Sequence, residues 1–302
     1  MSVETVTGAG PSGLELAYER FGDPQAPPVV LVMGLGTQMV GWPLGFCMAL
    51  VERGLHVVRF DNRDVGLSSH MHDAPPPDVQ AAMMGDTSSA SYTLPDMAGD
   101  TTGLLDALEL ESAHVVGVSM GGMIAQCVAI EYPDRVRSLT SIMSTTGDPA
   151  VGQPTPEALG ALLSPPAASR EQAVERTISI FRVIGSPGFE LDEQELRERA
   201  EVSYDRADDP LGVARQLLAV VASPDRTPAL RSVAAPTLVI HGTADPLVNV
   251  SGGKATAAAV PGAELVILDG MGHDLPRALW PEITGGIAAL VERAEAASVE
   301  PV

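Results

Sequence analysis

The chain has 302 residues, a formal net charge of −21 and a single lysine, Lys254. No basic patch can be assembled from that composition, which argues against nucleic acid or an anionic membrane surface as a partner. With 45% hydrophobic residues a sizeable core is within reach, enough for one large α/β domain or two small ones.

Met1 to Gly13 carries no basic residue and no apolar segment of a secretion signal. No apolar run approaches the length of a membrane span, so a cytoplasmic location is the expectation. Leu14 to Arg20 alternates apolar and polar and reads as a strand with one solvated face. Asp23-Pro24 and Pro27-Pro28 break it. Val29 to Met33 is a continuous apolar run, expected of a strand buried on both faces of a parallel sheet. Gly34-Leu35-Gly36 ends it, and a helix fills the span to Arg53. Leu55 to Phe60 is the next strand, followed by the polar turn Asp61-Asn62-Arg63-Asp64-Val65-Gly66-Leu67-Ser68.

His70 to Ser91 reads as loop. Thr93, with Asp96 at the third position, caps a helix that runs to about Leu110. His114 to Val118 is a buried strand, then comes Ser119 with glycine two places before and two after, then a helix to about Tyr132. Arg137 to Met143 is another strand. The rhythm stops from about Gly147 to Arg231, where four helical patterns lie near Pro156–Leu163, Arg170–Ile184, Glu193–Asp205 and Leu211–Ala222. Strands resume at Thr237–His241 and Glu264–Leu268, which favours a helical insertion on the sheet over a separate helical domain. A closing helix spans about Pro276 to Ala296, and Ala294 to Val302 is expected to fray.

The chemistry centres on Val115-Val116-Gly117-Val118-Ser119-Met120-Gly121-Gly122, the layout of a nucleophile elbow. The sharp strand-to-helix turn leaves no room for a Cβ at Gly117 or Gly121. A bare G-x-S-x-G is common by chance; the strand before and the helix after give it weight. A serine hydroxyl is a weak nucleophile and needs a base, which in turn needs an orienting acid. On this scaffold acid and base follow the serine in that order, each past a late strand. Asp245 follows the strand ending at His241, and His273 follows the last strand. Asp148, beyond Met143, is the competing acid, and Asp274 beside the base should point elsewhere. His56 and His114 begin strands at the opposite edge, and His241 lies inside one. His70-Met71-His72 offers two imidazoles, but no third ligand stands near it in sequence, so a solvated loop is expected rather than a metal site. Acyl transfer also needs donors at the developing oxyanion; the expected ones are the backbone N–H of Met120 and of Leu35. Met39, Met83, Met84, Met120 and Met143 fall near the same edge and suggest an apolar pocket, although methionine is more often core filler. Cys47 and Cys127 do not suggest a disulfide framework.

Met33-Gly34-Leu35-Gly36, Asp61 to Ser68, the elbow, His241-Gly242-Thr243-Ala244-Asp245 and Gly272-His273 together resemble the α/β-hydrolases, over essentially the whole chain. Within that family, Gly54 to Asp61, His114 to Gly121 and Gly270 to His273 look most like the aclacinomycin methylesterase group. The resemblance implies an α/β-hydrolase fold: a mostly parallel eight-stranded sheet flanked by helices, formed by residues 1–146 and 232–302, with a helical cap at 147–231. It implies Ser119 as nucleophile, His273 as base, Asp245 as acid, and Leu35 and Met120 as oxyanion donors. It implies no metal or cofactor, and a small carboxylic ester as substrate. Met33 departs from the many relatives with histidine there. A lactonase, a perhydrolase, a carbon–carbon hydrolase or a slow ligand receptor on the same scaffold remain alternatives.

Overall fold

A computed structural model describes residues 3–299. Eight strands form one sheet in the order β1-β2-β4-β3-β5-β6-β7-β8. They are β1 (Glu4–Ala9), β2 (Leu14–Phe21), β3 (Pro28–Val32), β4 (His56–Phe60), β5 (Ala113–Val118), β6 (Val136–Ile142), β7 (Thr237–Gly242) and β8 (Glu264–Leu268). Only β2 runs against the rest, pairing antiparallel with both β1 and β4. From β4 through β3 to β8 every pairing is parallel. The C-terminal ends of β3 to β8 therefore share one edge.

The continuous apolar runs have a direct cause in the sheet. Val30 and Val32 pack into one core with Leu16, Phe60, Leu104 and Ile124. Val29 and Leu31 face the opposite core, with Trp42, Phe46, Val116 and Ile287. Successive side chains of a strand point to opposite faces, so burial on both faces leaves no position for a polar residue.

The helices are α1 (Leu44–Val51), α2 (Val79–Met83), α3 (Leu94–Ala107), α4 (Met120–Glu131), α5 (Pro156–Leu162), α6 (Arg170–Ile184), α7 (Glu193–Arg206), α8 (Pro210–Ala222), α9 (Thr227–Leu230), α10 (Ser251–Ala259) and α11 (Trp280–Val299). Residues of α3 and α4 fill the first core, and those of α1 and α11 the second. Between β6 and β7 the described residues contain helices α5 to α9 and no strand. Four of these helices begin on a side-chain cap: Thr155, Ser169, Asp192 and Asp209 each accept an amide N–H three residues ahead.

Three elements depart from the sequence expectation. β1 is an eighth strand where none was read, an edge strand exposed along much of its length. α2 forms within the stretch taken as loop, with Asp78 capping it through Ala81 N. The closing helix is shifted towards the C-terminus: α11 runs from Trp280 through Val299, with Ala294 buried. Positions 300–302 of that expected frayed end lie outside the described residues.

Candidate active site

Ser119 sits between β5 and α4 with φ 55° and ψ −123°, a left-handed conformation that costs a non-glycine residue about 1–3 kcal/mol. The surroundings hold it there. Its N–H donates to Ile142 O on β6 at 2.9 Å, and its carbonyl accepts from Gly122 N at 2.9 Å and Ser144 Oγ at 2.8 Å. A Cβ on Gly117 would strike the Gly121 backbone, and one on Gly121 would strike Val32. Close contact, not turn conformation, is what demands glycine at these two positions: neither has positive φ.

The three residues expected to converge do so. His273 Nε2 lies 2.9 Å from Ser119 Oγ, and His273 Nδ1 lies 2.7 Å from Asp245 Oδ2. A carboxylate only accepts, so Nδ1 carries the proton and the Nε2 lone pair faces the serine hydroxyl. Asp245 and His273 are buried, while Ser119 stays partly open. Asp245 Oδ1 accepts from the amides of Leu247 at 2.9 Å and Val248 at 2.8 Å. Burial alone would raise this carboxyl's pKa. The His273 imidazole, the hydrogen bonds from His241 and His273 and the Val248 amide outweigh burial and hold it well below the usual carboxylate range.

The competing groups lie elsewhere. Asp148 folds onto its own turn, accepting from Ala150 N at 2.8 Å. Asp274 accepts from the Ser186 hydroxyl, which in turn accepts from Gly272 N at 2.8 Å. Two main-chain bonds tie the same loop to the segment after α6: His273 N to Ile184 O at 2.7 Å, and Gly188 N to Gly270 O at 3.0 Å.

The Gly34–Gly36 turn lies against the serine, since a Cβ on Gly34 would come 3.2 Å from Ser119 Cβ. Met120 opens α4, whose first N–H groups favour developing negative charge. Among the described residues, neither the Leu35 nor the Met120 amide is taken by a hydrogen-bond partner. The Gly34–Gly36 turn and the first residue of α4 therefore both lie next to Ser119.

One expectation needs correction. His70 and His72 do acquire a third potential ligand: Asp209, brought from the start of α8, lies 2.7 Å from His70 Nδ1 and 4.0 Å from His72 Nδ1. His70 Nε2 also faces Gly66 O at 3.0 Å, so both ring nitrogens meet acceptors and the group acts as an ion-paired link. It is not the solvated loop that local sequence suggests. The methionines, in turn, divide between core and surface. Met39, Met120 and Met143 are buried in the core, and Met83 and Met84 are exposed. Cys47 and Cys127 are buried free thiols, each pushed up to about 11 by burial.

Sequence reasoning missed the residues that seat the helical segment on this edge. Arg215 on α8 grips Asp64 through two bonds of 2.8 and 2.9 Å. Arg206 at the end of α7 pairs with Asp61 and reaches Gln38 at 2.8 Å. Gln216 on α8 accepts from Gly36 N and donates to Arg63 O. The signal was the charge density of Asp61 to Asp64, which sits buried and so demands partners.

A family model described as the alpha/beta hydrolase fold matches residues 27–276. Rhodomycin D methylesterase of Streptomyces peucetius is 29% identical over 293 residues, 90% of this chain and 93% of that protein. 3-Oxoadipate enol-lactonase 2 of Acinetobacter baylyi is 26% identical over 255 residues, 84% of this chain and 85% of that protein. The solved enol-lactonase of Burkholderia xenovorans LB400 shares the fold, with a TM-score of 0.73 at 23% identity, covering 96% of this chain and all of that one. No described helix is long and apolar enough to cross a membrane. The match over most of the chain, on this strand order, makes it a member of the α/β-hydrolase fold family and a hydrolase of that fold.

Proposed function

We propose that the protein is a serine carboxylic-ester hydrolase working through Ser119, His273 and Asp245. The observation that carries the reading is the relay itself: Oγ to Nε2 at 2.9 Å and Nδ1 to Oδ2 at 2.7 Å, on a serine held at φ 55°. In the first half-reaction Ser119 Oγ bonds to the ester carbonyl carbon while its proton passes to His273 Nε2. The carbonyl electrons move to oxygen, where the N–H groups of Leu35 and Met120 receive the charge. The bond to the leaving alcohol breaks as His273 returns the proton to it. Water then repeats the sequence on the acyl-enzyme, releasing the acid and restoring the serine. Asp245 remains ionised throughout and keeps His273 in the productive tautomer.

The helical segment at 147–231 acts as a cap over this edge, set on a core of residues 1–146 and 232–302. Its bonds to the loops after β3, β4 and β8 support that role. Small to medium apolar esters fit the reading best, since the −21 charge disfavours strongly anionic substrates. Similarity to a methylesterase along 90% of the chain supports a second reading, a methyl ester on a bulky polycyclic acid.

A turnover panel varying acyl length and alcohol size, with Ser119→Ala as control, tests both. Ser119→Ala should stay folded and lose at least about a thousandfold in kcat. Esterase activity that persists in that variant would sink the assignment. Multiple sustained turnovers separate an enzyme from a receptor that is merely acylated once.

A further inference from the structure

The geometry points to Gln216 as a positioning residue for the oxyanion site, acting on the reaction from the helical segment without touching substrate. This rests on the hydrolase reading above. Gln216 is fully buried on α8. Its Oε1 accepts from Gly36 N at 2.8 Å, and its Nε2 donates to Arg63 O at 2.7 Å. Val213, one turn earlier, presses on the same loop: a Cβ on Gly36 would come 2.9 Å from Val213 Cγ1. Gly36 also has φ +64°, so glycine is needed there for both conformation and space.

The peptide planes show what this clamp does. The plane joining Met33 to Gly34 is fixed because Asn62 Nδ2 donates to Met33 O at 2.9 Å. The plane joining Leu35 to Gly36 is fixed because Gly36 N–H is held by Gln216. Between them lies the plane that carries the Leu35 N–H, whose own carbonyl, Gly34 O, accepts from Thr37 N at a long 3.3 Å. With both flanking planes pinned to the 62–63 turn, the middle plane has little freedom left to rotate. The donor is therefore aimed before substrate arrives, which is the condition under which such a donor lowers a barrier. Without Gln216 the Gly36 amide loses its acceptor, the 35–36 plane keeps only the 3.2 Å bond from Thr37 Oγ1 to Leu35 O, and the Leu35 N–H direction loosens.

The test uses the full-length chain and p-nitrophenyl butyrate. Gln216→Met keeps the side chain's length and removes both hydrogen bonds. It should lower kcat roughly 10- to 100-fold, a fraction of what loss of a whole oxyanion donor costs, with KM changed less than about threefold. Affinity for a trifluoromethyl ketone, which adds to Ser119 and places an oxyanion in the site, should fall by a similar factor. A second variant guards against a folding artefact. In Gln216→Glu the neutral carboxyl can accept from Gly36 N and donate to Arg63 O as the amide does, while the ionised form cannot. Burial raises that carboxyl's pKa, so activity relative to the parent should climb as pH falls.

The inference is overturned if folded Gln216→Met keeps the parent kcat and inhibitor affinity. It is overturned equally if only its melting temperature drops, or if the Gln216→Glu ratio is flat with pH. Ser119→Ala runs alongside: activity surviving there removes the hydrolase reading itself, whereas Ser119-dependent activity indifferent to Gln216 removes only this inference.

Discussion

Replacing Asp245 by Asn changes one atom and should cost the site most of its rate. Asp245 Oδ1 is held by two amides, Leu247 N and Val248 N, at 2.9 and 2.8 Å. An asparagine keeps both bonds only if its carbonyl oxygen takes that place. Its NH2 group then faces His273 Nδ1, the position Oδ2 occupies at 2.7 Å. An N–H donor there forces Nδ1 to accept, and the ring proton moves to Nε2, where it faces Ser119 Oγ. The base has then lost its lone pair toward the nucleophile. The flipped amide would restore the tautomer but strand two buried donors at about 1–3 kcal/mol each, about 2–6 kcal/mol together. At 1.4 kcal/mol per tenfold, the competent arrangement is depleted roughly 30- to 20,000-fold. Loss of the charge that stabilises the imidazolium adds to this, so kcat should fall by roughly 10³–10⁴ with KM little changed. Steady-state hydrolysis of a p-nitrophenyl ester, with a melting curve to show that the fold is intact, measures it. A kcat within tenfold of the parent would refute the role given to Asp245.

Further predictions concern the seating of the helical segment. Arg215→Met leaves the Asp64 carboxylate buried with Tyr92 Oη and Met71 N as its remaining donors, so it should destabilise by about 3–5 kcal/mol in urea unfolding. Adding Asp64→Asn should recover much of that loss, and a loss under about 1 kcal/mol in the single variant would contradict it. His70 supplies a pH term. Burial would lower its pKa, but the Gly66 carbonyl and the Asp209 and Asp64 carboxylates outweigh this and raise it above the ordinary 6.5. A histidine raised in the folded state adds stability that is complete below its unfolded value and disappears as pH climbs through the folded one. His114 has the opposite sign, because burial lowers it to about 4. The informative quantity is therefore the difference in melting temperature between the parent and His70→Gln. It should be largest in mild acid, below the unfolded value, and shrink as pH rises past neutrality; a difference independent of pH would count against the link.

The parts legible in sequence were those written in local pattern. Strands announced themselves as apolar runs, and the ends of β5, β7 and β8 located Ser119, Asp245 and His273 without any knowledge of contacts, although β8 itself is a largely exposed edge strand. Helices α5 to α8 were readable as helical patterns separated by proline and glycine breaks. β1 was not, since an edge strand such as Glu4-Thr5-Val6-Thr7 buries too little to impose a pattern. The partners of the Asp61 and Asp64 carboxylates and of the Arg63 carbonyl were beyond reach for another reason. Arg206, Arg215 and Gln216 lie about 150 positions away, and a buried charge specifies that a partner exists but not where in the chain it comes from. The same gap led His70 and His72 to be read as a solvated loop until Asp209 arrived beside them.

The loop that carries His273 is fastened to the segment after α6 partly by backbone alone, through His273 N with Ile184 O and Gly188 N with Gly270 O. Main-chain bonds place no demand on side-chain identity. Pro187 and Phe189 can therefore change while the imidazole keeps its position, whereas Gly185 and Gly188 have no room for a Cβ and Ser186 is bound to Asp274 and Gly272. The sequence of this stretch is thus free at two positions and held at three, with the His273 loop fastened through both.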